Sequence, residues 1–339
     1  MNLKNKKILI VGGCGFIGHN LGVHLKSKGA DVYLLDSLTI NNMNSVLDNK
    51  DSLPNPEISM SFLNERMRII KLKDIKLIIQ DARDYHAMSK IIDNVKPEIL
   101  IHLAAVSHAN RSNKDPYSTF DHSLRTLENS LDCAKSRIKH FIYFSSSMVY
   151  GNFLGASVEE DFQCNPMGIY GALKYSGEKI VIAYNQVFDL PYTIVRPSAL
   201  YGERCISRRV GQIFIENAIS EKDIIIDGDG SDVLDFTYIK DLVYGIEKII
   251  ENKNSINQIF NLTYGAGRKI SELIDILKKE FPKIVVKRKD RDRLMPERGT
   301  LSINKAKSLI GYNPTWPIET GYLSYIQWYK EFMSRKHEV

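Results

Sequence analysis

The sequence predicts an α/β fold, a doubly wound parallel sheet joined to a smaller C-terminal α/β lobe, and three observations point to it. Short apolar runs recur through the first half of the chain without the alternation of half-exposed strands, as expected when helices cover both faces of a sheet. Segments of helical spacing lie between those runs, and strand–helix alternation of this kind winds a parallel sheet. The first apolar run breaks into glycines and leads directly into a helical segment, the opening of a Rossmann-type unit.

Taken in order, "KKILIVGG" is a buried strand and "FIGHNLGVHLKSKGA" a helix ending near Gly29. "DVYLLD" is the second strand, "IKLIIQD" the third, "PEILIHLAA" the fourth and "KHFIYFSSS" the fifth. "PYTIVRPS" is the sixth, after a long helix at about 168–189, and further helices fall at 84–95 and about 117–137. Roughly forty residues part Asp36 from the third strand, far beyond the ~2–6 of a usual connection. Within them "NPEISMSFLNERMRIIKL" has helical spacing and predicts an added helix at the domain edge. Beyond residue 197 the pattern loosens into helices at 205–220, 238–252, 269–281 and 317–334, with short strands near 224–226, 257–262 and 284–287. The division that follows is a dinucleotide-binding domain at 1–196, to which segments at about 233–262 can return, and a substrate lobe at 197–339.

Composition is that of an ordinary globular chain: 339 residues, 43% hydrophobic and 25% charged, with a formal charge of +6. That charge suits an anionic small molecule as well as nucleic acid. The basic stretch "KRKDRDRLMPER" at 287–298 carries interleaved Asp290, Asp292 and Glu297 and no aromatic stacking partners, so it reads as a solvated loop at a cleft edge and not as a nucleic-acid site. The N-terminal apolar run is shorter than the ~7–15 residues of a secretory core, and no segment approaches the ~18 of a membrane span. Cys14, Cys133, Cys164 and Cys205 form no CxxC pair, which argues for a reducing compartment; a cytoplasmic protein is expected. His102, His108 and the other histidines show no metal-ligand spacing, and no metal is expected.

The first chemical signal is "VGGCGFIG", which sets Gly12, Gly15 and Gly18 three apart between a strand and a helix. Glycine there lets the backbone turn tightly and approach a pyrophosphate, and the helix N-terminus offers N–H groups to the phosphates. A flexible turn would need the same glycines, but Asp36 closes the second strand about 20 residues on, where a carboxylate accepts hydrogen bonds from a ribose. Asp36 would repel a 2′-phosphate, and "SLTINN" after it supplies no arginine, so NAD is favoured over NADP.

The second signal is "YGALK". On a helix, Tyr170 and Lys174 share one face a turn apart. A free phenol titrates near ~10, and lowering it to about 7 takes ~4 kcal/mol, which a neighbouring ammonium and a cationic cofactor ring can supply. Alone, the pair is equally a half-buried aromatic beside an exposed lysine. "FSSSMVYG" places hydroxyls at the end of the fifth strand, where serine also serves as a turn-former.

With "GGCGFIG", "DARD", "HLAA", "SSSMVYG", "YGALK", "RPSALYGER", "GDGSDVLDFTYIKDLV" and "NKAKSLIGYNP" in this order, the chain resembles an extended short-chain dehydrogenase/reductase of the NAD-dependent epimerase/dehydratase family, over nearly its whole length. The resemblance implies that Tyr170 as phenolate takes a proton from a sugar hydroxyl while hydride passes to NAD, with Lys174 lowering the phenol's pKa and Ser146 completing the set. It implies cofactor contacts from Gly12, Gly15, Phe16, Ile17, Gly18, Asp36, Asp81, Ala82, Leu103, Ala104, Ala105, Tyr170, Lys174 and Pro197. It also implies a nucleoside-diphosphate sugar as substrate, a second substrate contact at Ser147, and a homodimer built on the helices near 117–137 and 168–189.

Relatives that eliminate water carry Asp-Glu after the catalytic hydroxyl residue, and decarboxylating relatives place Glu at the second of those positions. Here Ser147 and Met148 stand there, which leaves oxidation at C4, alone or as half of a 4-epimerisation. A 4,6-dehydratase or 4-keto-sugar reductase is the alternative, and an NAD-binding sensor without turnover a third. Three positions depart from the family: His122, Ala199 and Leu234 replace Asn, Asn and Arg. With Leu234 unable to hold a diphosphate, Arg204, Arg208, Arg209 or Arg298 is expected to supply the charge. His122 reads equally as an active-site partner and as a helix histidine bonded to backbone.

Overall fold

Seven parallel strands carry the molecule: β1 (Lys7–Val11), β2 (Asp31–Asp36), β3 (Lys76–Ile79), β4 (Ile99–His102), β5 (His140–Phe144), β6 (Tyr192–Arg196) and a last one, Gln258–Asn261. In space they run Gln258–Asn261, β6, β5, β4, β1, β2, β3. The computed structural model describes residues 3–48, 50, 53–107, 109–153, 157–291 and 295–337; His108 and Asp292 of the sequence analysis lie outside these. β5 and β6 are buried at every position. Alternate residues of one strand feed different cores: Ile8 and Ile10 join one cluster, Leu9 and Val11 the other. The sheet is therefore covered on both faces, which is why its strands read as unbroken apolar runs.

The strand order reverses between β1 and β4, both of which pair with each other while their chain neighbours diverge. Ligands of open α/β sheets bind at the carboxyl ends beside such a reversal. The strand Gln258–Asn261, expected near 257–262, pairs with β6 in register Gln258↔Thr193 to Asn261↔Arg196. Part of the C-terminal third thus completes the main sheet.

The added helix is Pro56–Leu72, and it is not a loose appendage. Phe62 is fully buried, with ring centroids 5.0 Å from Trp328, 5.3 Å from Tyr329 and 4.9 Å from Phe332 of the terminal helix Ile318–His337. Two expected helices differ. The one near 117–137 is Pro116–Phe120, a π-helical turn at Asp121–Arg125, then Thr126–Ala134. The one near 205–220 starts only at Val210, because Ala199, Arg204 and Arg208 hold positive φ angles of 38°, 63° and 48° that no helix accepts. Short helices at Met43–Asp48, Ala109–Lys114 and Asn304–Ile310 were not expected. In the basic stretch, Lys287 and Lys289 pair with Asp223 and Asp227 across two short strands. Among the described residues no helix is long and apolar enough to cross a membrane.

A buried ion pair fixes the helix Gly168–Phe188 to the sheet. Arg196, at the end of β6, meets Glu178 at 2.7 Å with side chains 3% and 1% exposed. Its remaining donors reach Tyr150 Oη and the Glu160 carbonyl, both at 2.9 Å. Removing one member strands the other's charge in the interior, so Glu178→Ala is expected to cost about 3–5 kcal/mol, read as a lowered urea midpoint. An unchanged midpoint would show that the pair contributes nothing to stability.

Candidate active site

The turn after β1 is shaped by close approach. At Gly12, with φ 82°, a Cβ would stand 2.8 Å from Ala104 N at the end of β4. Gly15 then caps the helix Phe16–Ser27, whose first turn has no side-chain cap, so its N–H groups and dipole are available to a diphosphate. Asp36 Oδ2 accepts Cys14 N at 2.9 Å and Oδ1 accepts Leu38 N at 2.8 Å. Burial pushes the Asp36 carboxyl up, while these two bonds and the charge of Arg66 favour its anion. Each carboxylate oxygen keeps a lone pair for a ribose hydroxyl.

One cavity runs along these groups. Every residue predicted between Gly12 and Ala105 lines it, Phe16, Ile17, Gly18, Asp81, Ala82, Leu103 and Ala104 among them. The residues present thus fit a dinucleotide: a cradle with no room for a Cβ at Gly12, an uncapped helix end, and a carboxylate at the ribose position. Sequence reasoning missed Arg66, Ser107 and Ile206 in its wall, because they arrive from the inserted helix and from loops remote in the chain. Asp81 is held by Arg83, Nη2 to Oδ2 at 2.7 Å, and Arg83 reaches on to Asp121 at 2.6 Å. His122 also lines the cavity, and its Nδ1 donates to Ser118 O at 2.8 Å. The backbone bond is the one expected of a helix histidine, and the side chain is displayed on the π-helical turn, a form common at functional sites.

The three serines after β5 have separate employments. Ser145 Oγ donates to Glu178. Ser147 N donates to Pro197 O at 2.9 Å, which brings Pro197 against this strand end. Ser146 Oγ accepts Met148 N at 3.2 Å and lies close enough to the Tyr170 phenol to favour its anion. The helix carrying Tyr170 approaches closely because Gly171 faces the strand end, where a Cβ would sit 2.8 Å from Met148 O. Lys174 is buried; its Nζ donates to Phe144 O at 2.6 Å and lies 5.1 Å from the Tyr143 ring centroid. Burial brings its pKa down to about 8, against the opposing pull of Glu178.

Burial pushes the Tyr170 phenol up, opposed first by the charge of Arg209 and then by Ser146. Arg209 is thus a cation favouring the phenolate that the sequence did not single out for this part. The other arginines divide as well. Arg204 is taken up by His19 Nε2 and Asn20 Oδ1, both at 3.0 Å, and Arg208 by Glu216 at 2.7 Å. Their expected substrate role is corrected accordingly: both donate inward, to the protein. Arg209, whose Nη2 donates to Ser107 O at 3.0 Å, lines the cavity. Arg298 has its Nε buried without a partner, and burial together with the charge of Arg209 brings it down to about 10. Among the described residues neither Arg209 nor Arg298 has an ion-pair partner. Leu234 packs against the core beside them in sequence order but offers no charge.

A phosphate cradle at the sheet's reversal, with a phenol, a lysine and a serine gathered at the next strand end, is the arrangement of a dinucleotide-dependent enzyme. The chain belongs to the NAD dependent epimerase/dehydratase family, which it matches over residues 8–263. It is 31% identical to a putative UDP-glucose 4-epimerase of Methanocaldococcus jannaschii, over 95% of this chain and 98% of that one. UDP-glucuronate 4-epimerase 1 of Arabidopsis thaliana is 27% identical, over 96% of this chain and 77% of the other. The crystal structure of UDP-glucuronic acid 4-epimerase from Bacillus cereus, in complex with UDP-glucuronic acid and NAD, superposes with a TM-score of 0.84 at 25% identity, covering 96% of this chain and 99% of that one.

The depressed Lys174 pKa has a stability consequence with a definite sign. A base whose folded pKa lies below its unfolded value destabilises the fold fully below the folded value, and the penalty fades as pH rises to the unfolded one. For Lys174 that window runs from about 8 to the ordinary 10.5. The stability of Lys174→Met minus that of wild type is therefore expected to fall across this window in pH-dependent denaturation; a flat difference would place the lysine in a solvated setting.

Proposed function

We propose that this chain is an NAD-dependent enzyme acting at C4 of a nucleoside-diphosphate sugar, as a 4-epimerase or a 4-dehydrogenase. The observation that carries the reading is Ser146 and Tyr170 brought together at the end of β5, with Lys174 one helical turn on and bonded to Phe144 O, on the strand next to the one whose end walls the dinucleotide cradle, and with Met148 where elimination would need a proton-transferring side chain. The 4-epimerases named above, from an archaeon, a plant and a bacterium, support the same carbon.

The turn Gly12–Gly18 and Asp36 would hold the cofactor, which when bound would supply a hydride acceptor and donor for C4. Tyr170 Oη takes the proton of the C4 hydroxyl as that carbon is oxidised and returns it when the carbonyl is reduced. Ser146 Oγ orients the same oxygen. Arg209 lowers the cost of the phenolate that burial raises, and Lys174, tied to Phe144 O, fixes positive charge beneath the strand end. Arg298 and Arg209, both without acidic partners among the described residues, take the diphosphate in place of the arginine that Leu234 has displaced. Reduction from the opposite face of the sugar inverts C4; release of the keto sugar gives net oxidation.

The reading extends to a homodimer. Tyr117 is 87% exposed and Val187 69%, on the helices Pro116–Phe120 and Gly168–Phe188, where a second copy would cover them. It also places the enzyme in the cytoplasm, where Cys14, Cys133, Cys164 and Cys205, all free, stay reduced.

Denaturing the purified protein is expected to release NAD, and incubation with UDP-, GDP- and dTDP-sugars to yield a C4 epimer or a 4-keto sugar. Tyr170→Phe should keep the dinucleotide and lose about 10²–10⁴ in turnover. A 4-keto-6-deoxy product would overturn the exclusion of dehydration, and unchanged turnover in the variant the role of the phenol. Tyr117→Glu combined with Val187→Asp should sediment as a monomer where the wild type sediments as a dimer.

A further inference from the structure

Arg66 is the one arginine of the inserted helix Pro56–Leu72 that is fully enclosed, 1% exposed, and it has no carboxylate within hydrogen-bond reach. Its guanidinium spans two carbonyls far apart in the chain. Nη1 donates to Cys14 O at 3.1 Å, in the glycine-rich turn. Nε and Nη2 donate to Arg204 O at 3.1 and 2.6 Å, in the loop between β6 and the helix Val210–Ile219. The side chain of Arg204 then returns: Nε donates to His19 Nε2 at 3.0 Å, and His19 Nδ1 donates to Gly15 O at 2.8 Å. Burial and two nearby guanidiniums hold His19 well below the usual imidazole range, so the ring is neutral and has one proton to give, at Nδ1. Cys14 and Gly15 are bonded neighbours. The contacts therefore close a ring that runs from the turn through Arg66, Arg204 and His19 back to the turn.

The loop so tied is strained. Ala199, Arg204 and Arg208 all sit at positive φ, a region that costs a non-glycine residue about 1 kcal/mol or more and persists where surroundings enforce it. The same loop lends Leu200, Ile206, Ser207 and Arg209 to the cofactor cavity, and Arg209 is the charge that acts on Tyr170. One end of the ring is thus the backbone that receives the dinucleotide phosphates, and the other is the segment that sets the catalytic cation.

We propose that this ring couples the two: Arg66, Arg204 and His19 are positioning residues through which a dinucleotide seated on the glycine-rich turn fixes the conformation of residues 199–209, and with it the place of Arg209 in the cavity wall against Ser107 O. The inference rests on the NAD cavity and needs no assumption about the sugar, so it stands or falls apart from the C4 assignment.

Hydrogen exchange of the full chain, followed by mass spectrometry on peptides covering 199–209 with and without saturating NAD, tests it. In the wild type NAD is expected to slow exchange there by about tenfold, within the usual range of couplings between sites. Arg66→Gln and Arg204→Met cut the ring at different links; at NAD concentrations that titration calorimetry shows to saturate each variant, each should lose most of that NAD-dependent protection. Arg66→Lys keeps the charge but cannot span both carbonyls, and should not restore it. A purely structural role would raise exchange equally with and without NAD and leave the difference intact. Wild-type protection in both cut variants overturns the proposal, as does a wild type whose loop ignores NAD. Loss of NAD binding in Arg66→Gln with binding kept in Arg204→Met makes Arg66 a cofactor ligand, and loss in both makes the ring part of the cofactor site itself; either overturns the proposal. If Arg66→Gln does not fold, Arg204→Met and the wild-type comparison decide.

Discussion

Gly12 passes so near the end of β4 that a single added carbon would stand 2.8 Å from Ala104 N, and most of the molecule's arrangement depends on that approach. It lets β1 sit between β2 and β4 while the chain turns upward into the helix Phe16–Ser27. The turn can then leave its backbone N–H groups toward a crevice at the carboxyl ends of the strands. Leu103, Ala104 and Ala105 form the far wall of that crevice, and Asp36 closes its side. A side chain at Gly12 would push β1 and β4 apart at the point where the sheet changes direction and the phosphates belong.

The chemistry of the site is set by the cost of burial. Tyr170 and Lys174 are both enclosed, and burial alone drives the phenol up and the ammonium down, the opposite of what proton abstraction by a phenolate requires. The chain answers with a second cation from another element. Arg209 comes from the loop between β6 and Val210–Ile219, anchored on Ser107 O at 3.0 Å, and its charge favours the phenol's anion. The lysine keeps its partner in the Phe144 carbonyl at 2.6 Å.

The inserted helix ties these regions together. One buried face of it carries both contacts: Phe62 packs against Trp328, Tyr329 and Phe332, and Arg66, one helical turn on, reaches the glycine-rich turn and the Arg204 loop. Arg204 and Arg208, which the absence of an arginine at Leu234 had suggested for the substrate, instead hold this scaffold.

The sequence by itself determined the parallel sheet, the glycine-rich turn with Asp36 at the end of the next strand, and the Tyr170–Lys174 spacing, because each is written within one strand–helix–strand unit or one helical turn. Local patterns of burial and backbone freedom suffice for those. Only the tertiary structure decided that Gln258–Asn261 joins β6, that His122 rides on a π-helical turn, and that of four candidate arginines for substrate charge Arg209 and Arg298 have no acidic partner among the described residues. An arginine's partner lies wherever folding brings a carbonyl or carboxylate, here up to 138 positions away for Arg66 and 185 for Arg204, and no spacing rule reaches that far.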